Sequence, residues 1–233
     1  MADQTATELL TTASKSPFAE AFRTLRTNIN YASLDEPYQI ILVTSAGPGE
    51  GKTTVTSNLG VVMAQVNKKV LIIDCDLRRP SMHKVFGLNS SVGVTQALIN
   101  DADPKVLAQK TQIPGLYVLT SGPIPPNPAE LMGSQRMQAL LSRAVEGYDF
   151  VLVDSPPVNM VTDAVLLSSM VSGVLMVVQS GDTRIDHAKE ALNKLNKVDA
   201  KMVGVILNDV DTSAGNYYYY NYYYYSNNKP DAS

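Results

Sequence analysis

The sequence has very little of several residue types that common functional sites need. Its 233 residues contain one cysteine, two histidines and no tryptophan. The single cysteine, Cys75, rules out a disulfide framework and a cysteine metal site. His83 and His187 are too few and too far apart along the chain to indicate a histidine metal cluster or a Ser/His/Asp triad. A formal net charge of −3 gives no broad basic field, so nucleic acid is not expected as a partner.

Long apolar runs are also missing. The longest, at residues 164–178, is interrupted by three serines and a glycine and is too short to span a bilayer. It predicts a helix, a turn and a buried strand. The N-terminus has no pattern typical of a secretory leader, which together with the single cysteine predicts a cytoplasmic protein.

The apolar residues that are present predict alternating strands and helices. With 45% apolar and 18% charged residues, the composition is typical of one globular domain. Strands are predicted at residues 40–44, 70–74, 116–119, 150–154, 174–179 and 202–207. Helices are predicted at 53–65, 129–132, 134–145 and 185–195. This alternation predicts an α/β fold with a mostly parallel sheet, helices on both faces and ligands at the carboxyl ends of the strands.

The segment after the first predicted strand indicates a site for nucleotide phosphates. The sequence IILVTSAGPGEGKTT at residues 40–54 joins an apolar strand to a glycine-rich loop and a helix, as in P-loop NTPases. Such a loop brings backbone N–H groups up to phosphate oxygens at the positive end of the helix. Ala46 stands where the usual pattern begins with glycine. The residues predicted to bind ATP are Gly47, Pro48, Gly49, Glu50, Gly51, Lys52, Thr53, Thr54 and Asn208.

Within that loop, Lys52 is predicted to reach the β- and γ-phosphates, and the Thr53 hydroxyl to hold Mg²⁺. Three carboxylates follow other strands. Asp74 and Asp76 are two residues apart and so lie on one side, and Asp154 ends a further apolar strand. We expect Thr53, Asp74 and Asp154 to hold Mg²⁺, directly or through water. The alternative for each acid alone is a helix cap or a turn.

Three further polar residues have two interpretations each. Arg78 and Arg79 either neutralise charge on a transferred phosphoryl group or form a solvated pair before Pro80. Asn208 closes the last predicted strand, where its amide either reads the adenine edge or forms a turn.

Together the motifs SAGPGEGKTT, IIDCDLRRP and VLVDSPP, followed by a C-terminal tyrosine cluster, resemble the bacterial tyrosine kinases of capsular and exopolysaccharide systems. The resemblance covers nearly the whole chain and implies Lys52, Asp74, Asp76 and Asp154 as catalytic residues, with ATP and Mg²⁺. The chain is also similar to the partition-type ATPases of the same superfamily. Those carry an extra lysine early in the loop, where this chain has Gly47.

The N-terminal helix that opens at Pro17 carries Glu20, Arg23 and Arg26 at spacings of three, which places them in one slanted stripe. Spacing alone favours a weak salt bridge within the helix. The resemblance instead implies an oligomer interface, because these kinases use a Glu-x-x-Arg-x-x-Arg helix to close a homo-oligomeric ring.

The tyrosine cluster is the other distinctive segment. Apolar periodicity stops near residue 211, and eight of the chain's twelve tyrosines follow among Asn, Ser and Gly. We expect a disordered tail at residues 211–233 that serves as a substrate, the alternative being a β-prone segment of low complexity. The predicted autophosphorylation sites are Tyr217, Tyr218, Tyr219, Tyr220, Tyr222, Tyr223, Tyr224 and Tyr225.

The sequence therefore predicts an N-terminal arm at 1–16, a P-loop tyrosine kinase domain at 17–210 and the tail. The resemblance implies an ATP-dependent protein-tyrosine kinase that phosphorylates its own tail and regulates polysaccharide synthesis and export. It further implies a transmembrane co-polymerase adaptor that activates the kinase and recruits it to the inner face of the membrane. A cognate tyrosine phosphatase and protein substrates of polysaccharide synthesis are implied as well. The alternatives are a partition-type ATPase switch and a nucleotide-bound docking scaffold.

Overall fold

A computed structural model describes residues 9–10, 16–32 and 37–211 of the chain. The strands in these residues are β1 (Ile40–Ser45), β2 (Val70–Asp74), β3 (Gln109–Lys110), β4 (Leu116–Leu119), β5 (Phe150–Asp154), β6 (Gly173–Gln179) and β7 (Met202–Asn208). The helices are α1 (Pro17–Ala32), α2 (Lys52–Ala64), α3 (Met82–Phe86), α4 (Val94–Asn100), α5 (Pro104–Leu107), α6 (Pro128–Met132), α7 (Gln135–Val145), α8 (Asp163–Ser168) and α9 (Ile185–Asn196).

The strands form one sheet in the order β3-β4-β2-β5-β1-β6-β7. All neighbours are parallel except β3 and β4, which pair antiparallel at one edge. This confirms the predicted P-loop NTPase-like fold with a mostly parallel sheet. Strands β2 and β5 are neighbours, and their register places Asp74 directly beside Asp154.

The sheet separates two apolar cores. Because side chains alternate across a strand, Ile41 and Val43 of β1 pack under α1 and α2, whereas Leu42 packs on the other side under α7, α8 and α9. Near-continuous Val, Ile and Leu in β1, β2 and β5 are the sequence cause, since each of these central strands is buried on both faces. Cys75 lies in the second core, opposite Asp74 and Asp76.

The six predicted strands are all present within one residue of their expected ends. The sequence reasoning missed β3, α3, α4 and α5, which have two to seven residues and are too short to show a periodic pattern. Helix α5 did carry a start signal, because Asp103 caps it and Pro104 follows at its first position.

Part of the predicted N-terminal arm packs against the domain. Leu10 is buried in the core under α1 and α2, and its backbone N–H donates to Asn58 Oδ1 on α2 over 2.8 Å. No helix in the described ranges combines the length and apolar character needed to cross a membrane.

Candidate active site

The glycine-rich loop connects β1 to α2 at the carboxyl edge of the sheet. Gly49 and Gly51 have φ angles of 84° and 87°, which side chains with a Cβ rarely adopt. At Gly51 a Cβ would also lie 2.1 Å from Asn208 Nδ2. Gly51 is the N-cap residue and has no side chain to cap the helix, so the first turn of α2 presents backbone N–H groups to an anion.

Glu50 braces this loop from within. Its carboxylate accepts hydrogen bonds from Ala46 N at 2.8 Å and from the Thr183 hydroxyl at 2.6 Å. Asn208 lies at the end of β7, and its amide donates to the Glu50 carbonyl oxygen over 3.1 Å. The side chain of Glu50 therefore holds the loop in shape, which leaves its backbone N–H as the group that can reach a phosphate. The Asn208 side chain therefore contacts the glycine-rich loop and does not stabilise a local turn after β7.

Lys52 extends from the first position of α2 into a group of carboxylates. Its Nζ lies 3.0 Å from Asp76 Oδ2, and both side chains are largely buried. Burial by itself would lower the pKa of Lys52, but the neighbouring carboxylates, above all Asp154 and Asp76, outweigh it and raise that pKa. The site thus holds a charged amine ready for exchange onto another anion.

Thr53 and Asp154 lie next to this pair. The Thr53 hydroxyl donates to Asp154 Oδ2 over 2.8 Å and accepts from the Ser81 hydroxyl over 3.2 Å. The Thr56 hydroxyl, one turn further along α2, donates to the Lys52 carbonyl oxygen over 2.8 Å and lies 3.4 Å from the other Asp154 oxygen. Burial raises the pKa of Asp154, against the positive charge of Lys52.

Asp74 is fully buried, as is Asp154. One of its oxygens accepts from the backbone N–H groups of Ser81 and Met82 at 3.2 and 3.1 Å. The other, Oδ1, is buried and has no hydrogen-bond partner. Burial, and after it the charge of Asp154, raises the pKa of Asp74 to about 8. Two adjacent buried carboxylates with one unpartnered oxygen need additional positive charge.

These features fit Mg²⁺ bound together with a nucleotide. No group of three or more His, Cys, Asp or Glu side chains within residues 9–10, 16–32 and 37–211 has the geometry of a metal site. Mg²⁺ keeps several waters and takes substrate phosphate oxygens, so it does not need such a group. The Thr53 hydroxyl, Asp154 and the free oxygen of Asp74 are the oxygen ligands that the edge offers.

The two arginines after Asp76 have different surroundings. Arg78 makes a bidentate pair with Asp163 at the start of α8, with both N···O distances 3.1 Å, and Asp163 is fully buried. The backbone N–H of Arg79 donates to Asp76 Oδ1 over 3.0 Å, and its side chain is exposed. The two arginines therefore do not form one solvated pair: Arg78 holds the β5–α8 connection to the segment after β2, and the Arg79 side chain is exposed.

Four side chains at this edge were not identified from the sequence. Ser81, Thr183 and Asp163 lie outside the recognised motifs and have no local signal. Thr56 could have been found, because it lies three residues after Thr53 and so shares its face of α2.

Only part of the predicted stripe on α1 is exposed. Glu20 is exposed and pairs with Arg23 at 3.0 Å, as expected from spacing alone. Arg26 instead turns toward α2, where its Nη1 donates to the Val62 carbonyl oxygen over 2.6 Å. That carbonyl is in the last turn of α2 and has no helical partner there, so Arg26 caps α2. The tyrosine cluster at 217–225 lies outside the described residues.

Gly51→Ala provides a test of the loop geometry. A Cβ in the left-handed region costs about 1–3 kcal/mol, and here it also meets Asn208. We expect lower thermal stability and a large loss of nucleotide affinity, measured by melting curves and titration calorimetry. Gly87→Ala is the matched control, because Gly87 has φ 64° with open space around it. It should lose stability and keep nucleotide binding; equal nucleotide affinity in the two variants would contradict the assignment of the loop.

The folded domain is similar in sequence and structure to known proteins. Residues 38–207 match the AAA domain family. The tyrosine-protein kinase YwqD of Bacillus subtilis is 44% identical over 197 residues, which cover 84% of this chain and 83% of YwqD. The kinase domain of the Escherichia coli tyrosine kinase ETK superposes with a TM-score of 0.81 at 36% identity, covering 84% of this chain and 77% of that domain.

The septum site-determining protein MinD of Pyrococcus horikoshii, solved with Mg-ADP, is more distant. It gives a TM-score of 0.65 at 25% identity over 76% of this chain and 72% of MinD. Sequence and structure are therefore both more similar to the kinases than to this partition-type ATPase.

Proposed function

The chain belongs to the bacterial tyrosine-protein kinases, and we propose that the Lys52 site transfers the γ-phosphoryl group of ATP to tyrosines, beginning with its own tail at Tyr217–Tyr220 and Tyr222–Tyr225. The observation that carries this proposal is the meeting of three strand-end carboxylates with the loop lysine and threonine. Lys52 lies 3.0 Å from Asp76, and Thr53 lies 2.8 Å from Asp154, which is the register neighbour of Asp74.

In the proposed reaction, Lys52 leaves Asp76 for the β- and γ-phosphates of ATP and stabilises the charge that spreads over the transferring group. Backbone N–H groups at the start of α2 would hold the same phosphates, and the Asn208 amide, which contacts the Glu50 carbonyl oxygen beside the loop, would read the adenine edge. Mg²⁺, when held by Thr53, Asp74 and Asp154, neutralises phosphate charge.

A tyrosine hydroxyl has a pKa of about 10 and is a poor nucleophile at neutral pH. It therefore needs a proton acceptor beside the γ-phosphate. We assign this role to Asp76, because the departure of Lys52 onto phosphate leaves its Oδ2 without that partner. Its other oxygen stays fixed by the backbone N–H of Arg79 at 3.0 Å, which keeps the carboxylate in position.

ATP labelled on its γ-phosphate separates this function from the two alternatives. A kinase leaves label on tyrosine, a partition-type ATPase releases it as phosphate, and a docking scaffold does neither. Gly47 stands where partition-type ATPases carry their extra lysine, which favours the first outcome. Release of all label as phosphate, with none on tyrosine, would overturn the kinase mechanism proposed for this site.

We further propose that tail phosphorylation controls assembly into a ring. Each phosphotyrosine adds about −1.5 to −2 charge, so eight would add roughly −12 to −16 per subunit. A coil of about 25 residues spans roughly 25–30 Å, enough to reach a neighbouring subunit's site. Contacts that exposed residues such as Glu20 and Arg23 would make with a neighbouring subunit are individually weak and should not withstand this repulsion.

Light scattering checks the switch. We expect unphosphorylated chain to assemble and tail-phosphorylated chain to be monomeric. Replacing both Glu20 and Arg23 with Ala should also give monomers and reduce tail phosphorylation. Arg26→Ala is a separate case, because it removes the cap on α2 and should lower the melting temperature as well. The same assembled mass with and without tail phosphate would refute the electrostatic switch.

The membrane partner is a proposal that rests on the resemblance. We propose that a transmembrane polysaccharide co-polymerase adaptor recruits the chain to the inner face of the membrane and activates it. We expect tail phosphorylation to be slow for the isolated chain and to rise strongly when the adaptor's cytoplasmic segment is added or fused. The same rate with and without the adaptor segment would contradict activation by an adaptor.

We also propose that a cognate tyrosine phosphatase removes phosphate from the tail, and that the other protein substrates belong to polysaccharide synthesis.

A further inference from the structure

Tyr31 differs from the other tyrosines of the folded domain. It lies in the last turn of α1 and its residue surface is 69% exposed. Tyr38 and Tyr117 are half-buried, and Tyr148 is buried. Burial also raises the pKa of Tyr148 to about 12, which makes its hydroxyl a still poorer nucleophile. Among residues 16–32 and 37–211, Tyr31 is thus the tyrosine whose hydroxyl an outside protein can reach.

The local sequence around Tyr31 is similar to that of the tail. Asn30 precedes Tyr31, as Asn216 precedes Tyr217 and Asn221 precedes Tyr222. None of these three tyrosines has a charged residue within three positions on either side. The segment around Tyr31 is therefore as uncharged as the tail, so an active site that accepts the tail would not reject Tyr31 because of neighbouring charge.

The fold places Tyr31 away from the chain's own active site. Arg26 contacts the carbonyl of Val62, which lies ten residues along α2 from Lys52, or about 15 Å at the rise of an α-helix. Tyr31 is five residues beyond Arg26 on α1. The chain then enters β1 at Ile40, at the strand end opposite the glycine-rich loop. The last turn of α1 is packed against the domain through Ile29, which is 2% exposed, so it cannot swing to the loop.

From these observations we propose that Tyr31 is a second tyrosine phosphorylation site, modified by the active site of another copy of this chain. The proposal rests on the kinase function proposed above. In the step, Tyr31 Oη forms a bond to the γ-phosphorus of ATP while the bond from that phosphorus to the β–γ bridging oxygen breaks. ADP leaves with the electron pair, and the phenolic proton passes to Asp76 of the copy that binds ATP.

A phosphate at Tyr31 acts on the end of α1. The C-terminal end of a helix carries partial negative charge, and the last turn of α1 has no basic residue to offset an added anion. The phosphate therefore disfavours the final turn. Glu20 and Arg23, which are proposed to join subunits, lie near the other end of α1. Phosphorylation of Tyr31 therefore destabilises the helix that carries this proposed interface.

The test uses two forms of the full chain in one tube. The acceptor carries Lys52→Met and Phe at all eight tail tyrosines, so it neither transfers phosphate nor offers its tail. The donor carries Tyr31→Phe and is otherwise wild type, so every peptide that contains Tyr31 comes from the acceptor, and it is supplied with ATP and Mg²⁺. We expect peptide mass spectrometry to find phosphate on Tyr31 of the acceptor, and the same acceptor with Tyr31→Phe to stay at background while its circular dichroism is unchanged.

The donor's own tail is the internal control. Phosphate on the donor tail with none on Tyr31 would overturn this proposal and leave the kinase function intact. Phosphate on neither would overturn both. A chain that keeps Lys52 but has Phe at the eight tail tyrosines tests the route: the fraction of Tyr31 modified per unit time should rise with protein concentration. A rate independent of concentration would contradict transfer between copies.

Discussion

Lys52→Met is expected to reduce phosphate transfer to the tail by at least about 10²–10³-fold, the usual cost of removing one preorganised group that stabilises transition-state charge. The amine lies 3.0 Å from Asp76, and the charges of Asp154 and Asp74 also act on it. Met has similar length and no charge, so the variant removes the electrostatic contribution without opening a large space. Phosphotyrosine on purified protein after incubation with ATP and Mg²⁺ is the measurement.

This substitution also affects stability, because Lys52 is the cation inside a group of buried acids. Removing one partner of a buried ion pair costs up to about 3–5 kcal/mol. The variant should still fold, with a lower melting temperature. Circular dichroism must therefore show a folded chain before the loss of transfer is attributed to chemistry. Undiminished phosphotyrosine in folded Lys52→Met protein would exclude Lys52 from the reaction.

Asp76→Asn is expected to separate binding from transfer. An amide cannot accept the phenolic proton, and a positioned base contributes about 10²–10⁴-fold to such a step. ATP affinity should change little, because the phosphates are held by Lys52 and by backbone N–H groups of α2. The transfer rate and nucleotide affinity are measured on the same preparation, by labelled tail and by titration calorimetry.

Asp199→Asn is the matched control for this variant. Asp199 is exposed, and its φ of 54° is one that Asn also tolerates, so the transfer rate and the nucleotide affinity should both match wild type. If Asp76→Asn loses ATP affinity and transfer in equal proportion, Asp76 belongs to the cation shell and another group takes the proton.

Much of the active edge was predictable because it follows from strand ends. A run such as VLIID predicts a buried strand, and the parallel arrangement brings its terminal Asp74 to the same edge as Asp154. The glycine-rich loop was equally predictable from the sequence, because Gly49 and Gly51 occupy conformations that other residues rarely adopt. Local pattern and global fold agree at these positions.

The supporting contacts could not be predicted, because they join residues distant in sequence. Asp163 meets Arg78 across 85 positions, and Thr183 meets Glu50 across 133. Neither acceptor nor donor carries a local signal of its partner. Spacing likewise placed Arg26 in one stripe with Glu20, but packing of α1 on α2 directed it to the Val62 carbonyl. Three-residue spacing fixes a helix face and does not say what covers it.

Mapping of phosphotyrosine by peptide mass spectrometry is the most direct test of phosphate transfer from the Lys52 site to the tail. The full chain is incubated with ATP and Mg²⁺, with Lys52→Met protein and a reaction without Mg²⁺ beside it. We expect phosphate on Tyr217–Tyr220 and Tyr222–Tyr225 in the complete wild-type reaction, and on none of them in either control. A tail that stays unmodified in a chain shown to bind ATP, or one modified equally in the Lys52→Met protein, would contradict transfer from the Lys52 site.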